Sequence, residues 1–331
     1  MKKVKQIQNS ARTSVDAMLA GYYFQNSKRI SYDPTHKLIY RPSTSNVALI
    51  SGGGSGHEPA DFGYVGSNLL TASVNGDFFS PPKPGAIIEA IKKTDNGKGV
   101  LLIVKNFPSD MESFTKAKFI AEKAGHKIEI VCVSDDHSVE NSSTYSKRHR
   151  GVAGTVLIHK ILGALAEKGM SLSDLKKAGE QLNANLFTLG VALEGAVLPE
   201  TQRPMFELDH DEVYFGVGIH GEDGYRKVPY HSSEQLAIEL FNKMKHLTDW
   251  NSTETYAVLV NGLGSTTLME QYIFTHDLSR LFKIENVNAA FVKVGSYLTS
   301  YNMHGISLTL LRLPDPSWLK ALEEETDASH W

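Results

Sequence analysis

The feature that most constrains this chain is a repeated alternation of short β-rich runs with longer stretches of helical periodicity. In the first half, Val47 to Ile50, Val100 to Val104 and Ile128 to Val133 read as strands, and Gly85 to Lys93, Ser113 to Ala124 and Val152 to Lys168 as helices. The second half repeats the style. Strands are expected at Phe187 to Leu193, Val213 to Ile219, Tyr256 to Val260, Ala289 to Val294 and Ile306 to Leu311, with helices at Ser232 to Lys245 and Thr267 to Leu281. This order predicts α/β layers, not an all-α or all-β chain. Ahead of it, Val4, Ile7, Ala11, Val15, Met18, Leu19 and Tyr22 recur at helical spacing, which predicts an amphipathic helix from Val4 to Phe24. A length of 331 residues favours two domains, and the polar stretch Asn183 to Asn185 divides them into 1–184 and 185–331.

Charge and cysteine usage exclude some function classes. With 34 Lys+Arg against 37 Asp+Glu the formal charge is -3, so no global basic field exists to neutralise phosphates, and direct nucleic-acid binding is not expected. Cys132 is the single cysteine, so no intrachain disulfide forms; lying in the apolar run Ile128 to Val133, it is expected to be a buried thiol in a reducing compartment. No run is long and apolar enough to span a bilayer, and Lys2, Lys3 and Lys5 lead into polar residues, not an apolar signal core. A cytoplasmic protein is the expectation.

Three loops carry chemistry. Ser51-Gly-Gly-Gly-Ser-Gly-His57-Glu-Pro59 follows the strand Val47 to Ile50 at the edge where α/β sheets place ligands. Its glycines suit close backbone approach and exposed N–H donors, while Ser55 and His57 offer directional polar contacts. It lacks the Gly-Lys-Ser/Thr ending of a nucleotide-binding P-loop. Gly216-Val-Gly-Ile-His-Gly221 fits the dinucleotide fingerprint literally, but Gly224 and Pro229 follow where a long helix is required, so His220 is left at the end of a strand as acid, base, ligand or nucleophile, or as a hydrogen-bonded strand cap. In Lys105-Asn-Phe-Pro-Ser-Asp110 the carboxylate is either a helix N-cap or an acceptor for a ligand hydroxyl. Asp135, Asp136 and His137 point in different directions and read as solvated or structural; no metal held by protein ligands and no cofactor is expected.

Together these segments resemble one family, the dihydroxyacetone-binding subunit of dihydroxyacetone kinases, called DhaK. The resemblance covers nearly the whole chain: Gly52 to Pro59, Val104 to Asn106, Arg150-Gly-Val-Ala-Gly-Thr155, Gly190-Val-Ala-Leu193, Phe215 to Glu222, Leu259-Val-Asn-Gly-Leu-Gly264 and Ser307-Leu-Thr-Leu-Leu311. It implies two α/β domains with the ligand site at their junction. It further implies that His220 adds to the ketone carbon of dihydroxyacetone to give a hemiaminal, that Gly54 and Ser55 line the ligand, that His57 and Asp110 hydrogen-bond its hydroxyls, and that Lys105 lies nearby. A homodimer is implied as well.

The chain departs from the family around these residues. Kinase subunits read K-N-Y-T-G-D where this chain has Lys105-Asn-Phe-Pro-Ser-Asp110, in which Pro108 fixes φ and removes an N–H, G-E-I-F-T-S-P where it has Gly76 to Pro82, and S-L-D-M-A-G where it has Ser300-Tyr-Asn-Met-His-Gly305, losing a carboxylate at Asn302. Lys245 to Thr255 is also a shorter connection. Capture without transfer is similar to the coactivator paralogue DhaQ, which implies a sensor that joins a TetR-type transcription factor and leaves DNA contacts to that partner. The alternative is the dihydroxyacetone-binding subunit of a phosphoenolpyruvate-phosphotransferase-dependent kinase, supplied by an ADP-carrying partner subunit. An oxidoreductase, suggested by the accidental fingerprint alone, is a distant third.

Overall fold

A computed structural model of the protein describes residues 5–42, 45–138, 149–248, 250–251 and 253–331. These form two compact units that are not two consecutive lengths of chain. The N-terminal unit takes 5–133 and recovers 155–183 and 320–331, whereas 134–154 goes with 184–319 in the C-terminal unit. A single cut after residue 184 therefore does not describe the division: the chain crosses between units at each of these points.

The N-terminal unit begins with α1 (Ser14–Asn26), then β1 (Ser31–Asp33), β2 (Leu38–Tyr40), β3 (Ala48–Ser55), β4 (Ala72–Phe78), α2 (Pro84–Thr94), β5 (Val100–Lys105), α3 (Pro108–Lys123) and β6 (Ile128–Val133), and adds α4 (Thr155–Glu167) and α5 (Leu172–Ala184). The sheet order is β1-β2-β4-β3-β5-β6, with β4, β3, β5 and β6 parallel. Every residue of β5 is buried, as its unbroken apolar run predicts for a parallel strand covered on both faces. Ala48, Ile50, Val74, Val100 and Leu102 pack against Ile87, Ile91, Phe114 and Ala117 of α2 and α3. Residues 155–166 of α4 are buried all round, and Thr155, His159 and Lys160 place polar groups inside that otherwise apolar run.

The opening helix is shorter than the expected Val4 to Phe24. Val4 lies outside the described residues, Ser10 caps a single 3-10 turn over 11–13, and α1 then buries Val15, Leu19 and Tyr22. The expected helix from Val152 starts at Thr155 instead, because Asp135 takes the backbone N–H groups of Val152 and Gly154.

The C-terminal unit contains β7 (Leu186–Glu194), β8 (Glu212–Phe215), β9 (Arg226–Pro229), α6 (Ser233–Leu247), β10 (Thr255–Gly262), α7 (Leu268–Ile284), β11 (Asn288–Gly295) and β12 (His304–Arg312), followed by α8 (Pro316–Glu323). Its sheet, ordered β11-β10-β12-β7-β8-β9, is antiparallel except for β10 with β11. Leu240, Phe241 and Met244 of α6 and Phe274, Leu278 and Phe282 of α7 cover Leu189, Val258, Val260, Leu308 and Leu310. A capping box, Thr267 with Glu270, starts α7. Both units are mixed α/β, as the alternation of strand and helix patterns predicts. No helix among the described residues is long and apolar enough to cross a membrane.

Candidate functional site

In the N-terminal unit the glycine run is strand, not turn. β3 continues through Gly52, Gly53 and Gly54 to Ser55, where the expected strand stops at Ile50. A β-carbon on Gly52 would meet the Val74 carbonyl oxygen at 2.1 Å, and one on Gly54 would meet the Ser80 nitrogen at 2.6 Å. Gly52 and Gly54 are therefore required by neighbouring backbone, and the left-handed turn comes only at Gly56, with φ +106°. No α-helix follows directly; a 3-10 turn over Phe62–Tyr64 does. Ser55 is buried and donates its hydroxyl to the Gly76 carbonyl at 2.8 Å. His57 is buried and stacks on Phe79, the ring centroids 4.8 Å apart and the planes 16° apart.

Lys105 ends β5 and is buried, with its ammonium donating to the Gly52 carbonyl at 3.0 Å and to Asp61 Oδ2 at 2.5 Å. Asp110 is buried in the first turn of α3. It is not the N-cap: Phe107 holds that position, and Pro108 opens the helix where its missing N–H costs nothing. A β-carbon on Gly53 would lie 3.4 Å from Lys105 Nζ and 3.6 Å from Asp110 Oδ1, so the strand brings Gly53, Lys105 and Asp110 together.

In the C-terminal unit β8 ends at Phe215 and not at Ile219 as expected. Gly216, at φ +75°, turns the chain away while its N–H stays bonded to the Gly190 carbonyl. His220 consequently lies on a loop beyond the strand, its side chain a quarter exposed. Glu222 fixes it: one carboxylate oxygen accepts from the His220 N–H at 3.0 Å and the other faces Nδ1 at 3.1 Å. Burial raises the Glu222 carboxyl, but the hydrogen bond from His220 and the charges of His220 and Arg150 outweigh it and hold the carboxyl down at about 2. Arg150 lies 3.8 Å from Glu222 and is itself held by Asp136 at 2.6 Å and by the Ser138 hydroxyl and the Gly216 carbonyl. Ser300 donates to the Ile219 carbonyl at 2.6 Å and ties the loop from the other side. In the neutral tautomer whose Nδ1 donates to Glu222, the ring lone pair is on Nε2.

Glu222, Arg150 and Asp61 were not singled out as functional in the sequence. The G-I-H-G-E motif contains Glu222, and the two-residue spacing from His220 is the signal that could have found it. Asp135 is buried and structural, not solvated: it accepts from Val152 N, Gly154 N and the Thr188 hydroxyl, and burial pushes its carboxyl up to about 6. Cys132 is half-buried, not buried. Asn302 accepts from the Val197 N–H at 2.9 Å.

Two α/β units, one with a glycine strand over a buried lysine and the other with a carboxylate-held histidine loop, define a class distinct from dinucleotide-binding and P-loop proteins. The chain belongs to the Dak1 family, whose profile, described as the Dak1 domain, matches residues 20–330. It is 44% identical over 329 residues to the PTS-dependent dihydroxyacetone kinase, dihydroxyacetone-binding subunit DhaK, of Lactococcus lactis subsp. lactis (strain IL1403), covering 99% of each chain. It is 45% identical over 327 residues to the DhaKLM operon coactivator DhaQ of the same organism, covering 98% of this chain and 99% of that one. A solved structure of the dihydroxyacetone kinase operon co-activator DhaQ superposes with a TM-score of 0.91 at 45% identity, covering 96% of this chain and 98% of that one. The dihydroxyacetone kinase of C. freundii gives a TM-score of 0.89 at 33% identity, with 99% of this chain matching 60% of that longer one. The family resemblance read from the sequence is thereby borne out.

Proposed function

We propose that this chain is a dihydroxyacetone-binding sensor and coactivator that captures the ketone as a hemiaminal on His220. The observation that carries the reading is the pairing of His220 with Glu222 on a glycine-flanked loop, in a chain related equally to a dihydroxyacetone-binding subunit and to an operon coactivator. The Nε2 lone pair forms a bond to the carbonyl carbon, the π pair of the carbonyl moves to its oxygen, and that oxygen takes a proton from solvent. The ring keeps its Nδ1 proton against Glu222, whose low-lying carboxyl stays ionised and balances the positive imidazole. Selection for a ketone over a triol follows, since glycerol has no electrophilic carbon. Gly54, Ser55, His57, Lys105 and Asp110 are assigned to lining the ligand and bonding its hydroxyls, Lys105 and Asp110 being the pair that Gly53 brings together.

In this reading the liganded protein, as a homodimer, engages a TetR-type transcription factor controlling a dihydroxyacetone kinase operon. Pro108 in the K-N-F-P-S-D stretch and Asn302 in place of a carboxylate favour sensing over transfer. The second reading, a subunit of a phosphotransferase-dependent kinase, is favoured by the retention of His57, Asp110 and His220 and by the 44% identity to a kinase subunit. One assay separates them: the purified chain with competent ADP-loaded partner subunit and phosphoryl donor, beside an active dihydroxyacetone-binding subunit as control. Binding without turnover supports the coactivator; turnover comparable to the control makes it a kinase subunit.

A further inference from the structure

The charged pair beneath the glycine strand has a member for which the proposed capture chemistry has no use. Asp61 lies in the irregular segment between β3 and β4, follows no periodic pattern, and is as buried as the lysine it meets. Two opposite charges buried at 2.5 Å from each other are costly to desolvate, and removing one partner from such a pair leaves the other uncompensated. The Lys105 stem has a choice of directions in a flexible four-carbon chain, yet its ammonium is held at two points, the Asp61 carboxylate and the Gly52 carbonyl. Those two anchors put Nζ under Gly53, beside Asp110.

The surroundings of Asp61 are polar as well. Among the described residues its Oδ1 is buried without a hydrogen-bond partner, as are the Thr155 hydroxyl and both ring nitrogens of His159. Thr155 and His159 are one turn apart on α4, on the same face, and His159 is near enough to feel the charges of both Asp61 and Lys105. A core with no polar task would place apolar side chains here; buried polar groups without partners mark a site with one.

We propose that Asp61 is the positioning residue for Lys105: its buried carboxylate supplies the counter-charge and the second anchor that fix the ammonium beneath Gly53 and beside Asp110. The ligand-binding part of this inference rests on the proposed capture of dihydroxyacetone; the anchoring part does not.

The test uses the full chain with Asp61→Asn, Lys105→Met and the double variant, and has two arms. In the first, dihydroxyacetone affinity is measured by titration calorimetry. Asp61→Asn should weaken it roughly tenfold, Lys105→Met at least as much, and the double variant no more than Lys105→Met alone, since a residue acting through Lys105 has nothing to act on once Lys105 is gone. Losses that add in full overturn the proposal. In the second arm the ligand-free proteins receive a pulse of acetic anhydride, and acetylation at Lys105 is read by peptide mass spectrometry against the surface lysines. Lys105 should be protected in the wild type and about tenfold more reactive in Asp61→Asn. Protection unchanged by Asp61→Asn overturns the proposal. Should the wild type fail to bind dihydroxyacetone, the capture reading falls while the acetylation arm still decides the anchoring. If Asp61→Asn does not fold, Asp61→Glu, which keeps the carboxylate, must retain Lys105 protection; reactivity equal to that of surface lysines in that variant counts against the proposal.

Discussion

Glu222 holds His220 at two points, accepting from its backbone N–H at 3.0 Å and facing its Nδ1 at 3.1 Å. A carboxylate in this place fixes both the ring and its tautomer, and it stabilises any positive charge the ring acquires. Glu222→Gln should therefore weaken dihydroxyacetone capture by about tenfold or more, roughly 1.4 kcal/mol or more. His220→Ala should abolish the adduct. With ketone labelled at the carbonyl carbon, the carbon resonance of the hemiaminal reports both; an undiminished signal in His220→Ala sinks covalent capture at this residue.

Gly218 owes its identity to the same pair. A β-carbon there would lie 1.9 Å from Glu222 Oε2 and 2.4 Å from Arg150 Nη1. Gly218→Ala should force the carboxylate off His220 and lower capture as Glu222→Gln does, while the core around β8 stays folded. Capture and thermal midpoint are the two readings, and wild-type capture in this variant would mean that Glu222 does not need its observed position.

Parts of this arrangement were legible in the sequence, for physical reasons that differ by residue. The strand at Val100 to Val104 is an unbroken apolar run and is buried on both faces, so periodicity and structure agree. His220 could be singled out because glycines flank it. The glycines at 52–54 misled because a glycine run favours turns locally, whereas here the Val74 and Phe79–Ser80 backbones exclude side chains at Gly52 and Gly54 of an extended strand. Asn75-Gly-Asp77 likewise spells a turn but lies in β4, paired with β3. Arg150, Asp136 and Glu222 are joined only by the fold of the C-terminal unit, and no local pattern connects them.

Asp135 should leave a mark on the acid stability of the protein. Burial raises its carboxyl to about 6 from an ordinary 3.8, against the opposing hydrogen bonds from Thr188, Val152 and Gly154. The folded state thus binds this proton more tightly than the unfolded chain does, and the resulting stability is complete below about 3.8 and lost as pH rises through about 6. Asp135→Asn cannot titrate. The wild type should lose stability relative to Asp135→Asn as pH is raised from 4 to 6, checked by urea unfolding at intervals across that range. Parallel curves would show that Asp135 titrates alike in both states.

Two glycines give a contrasting pair of expectations. At Gly54 an added β-carbon meets only backbone, the Ser80 nitrogen at 2.6 Å and the Phe79 Cα and carbonyl carbon at 2.8 Å, and backbone cannot swing aside as a flexible side chain can. Gly54→Ala should therefore push the Phe79 segment outward, cost about 1–3 kcal/mol by overpacking, and unstack Phe79 from His57. Dihydroxyacetone affinity should fall with it, since His57 and Gly54 are both assigned to the ligand. At Gly85, in the first turn of α2, a β-carbon meets nothing within 4 Å, so Gly85→Ala should leave affinity alone and stabilise the chain by roughly 0.5–1 kcal/mol through helix propensity. Urea unfolding and calorimetric titration of both variants decide the matter. If Gly54→Ala matches the wild type in both, the close approach of β3 to the Phe79–Ser80 backbone is not what demands a glycine there.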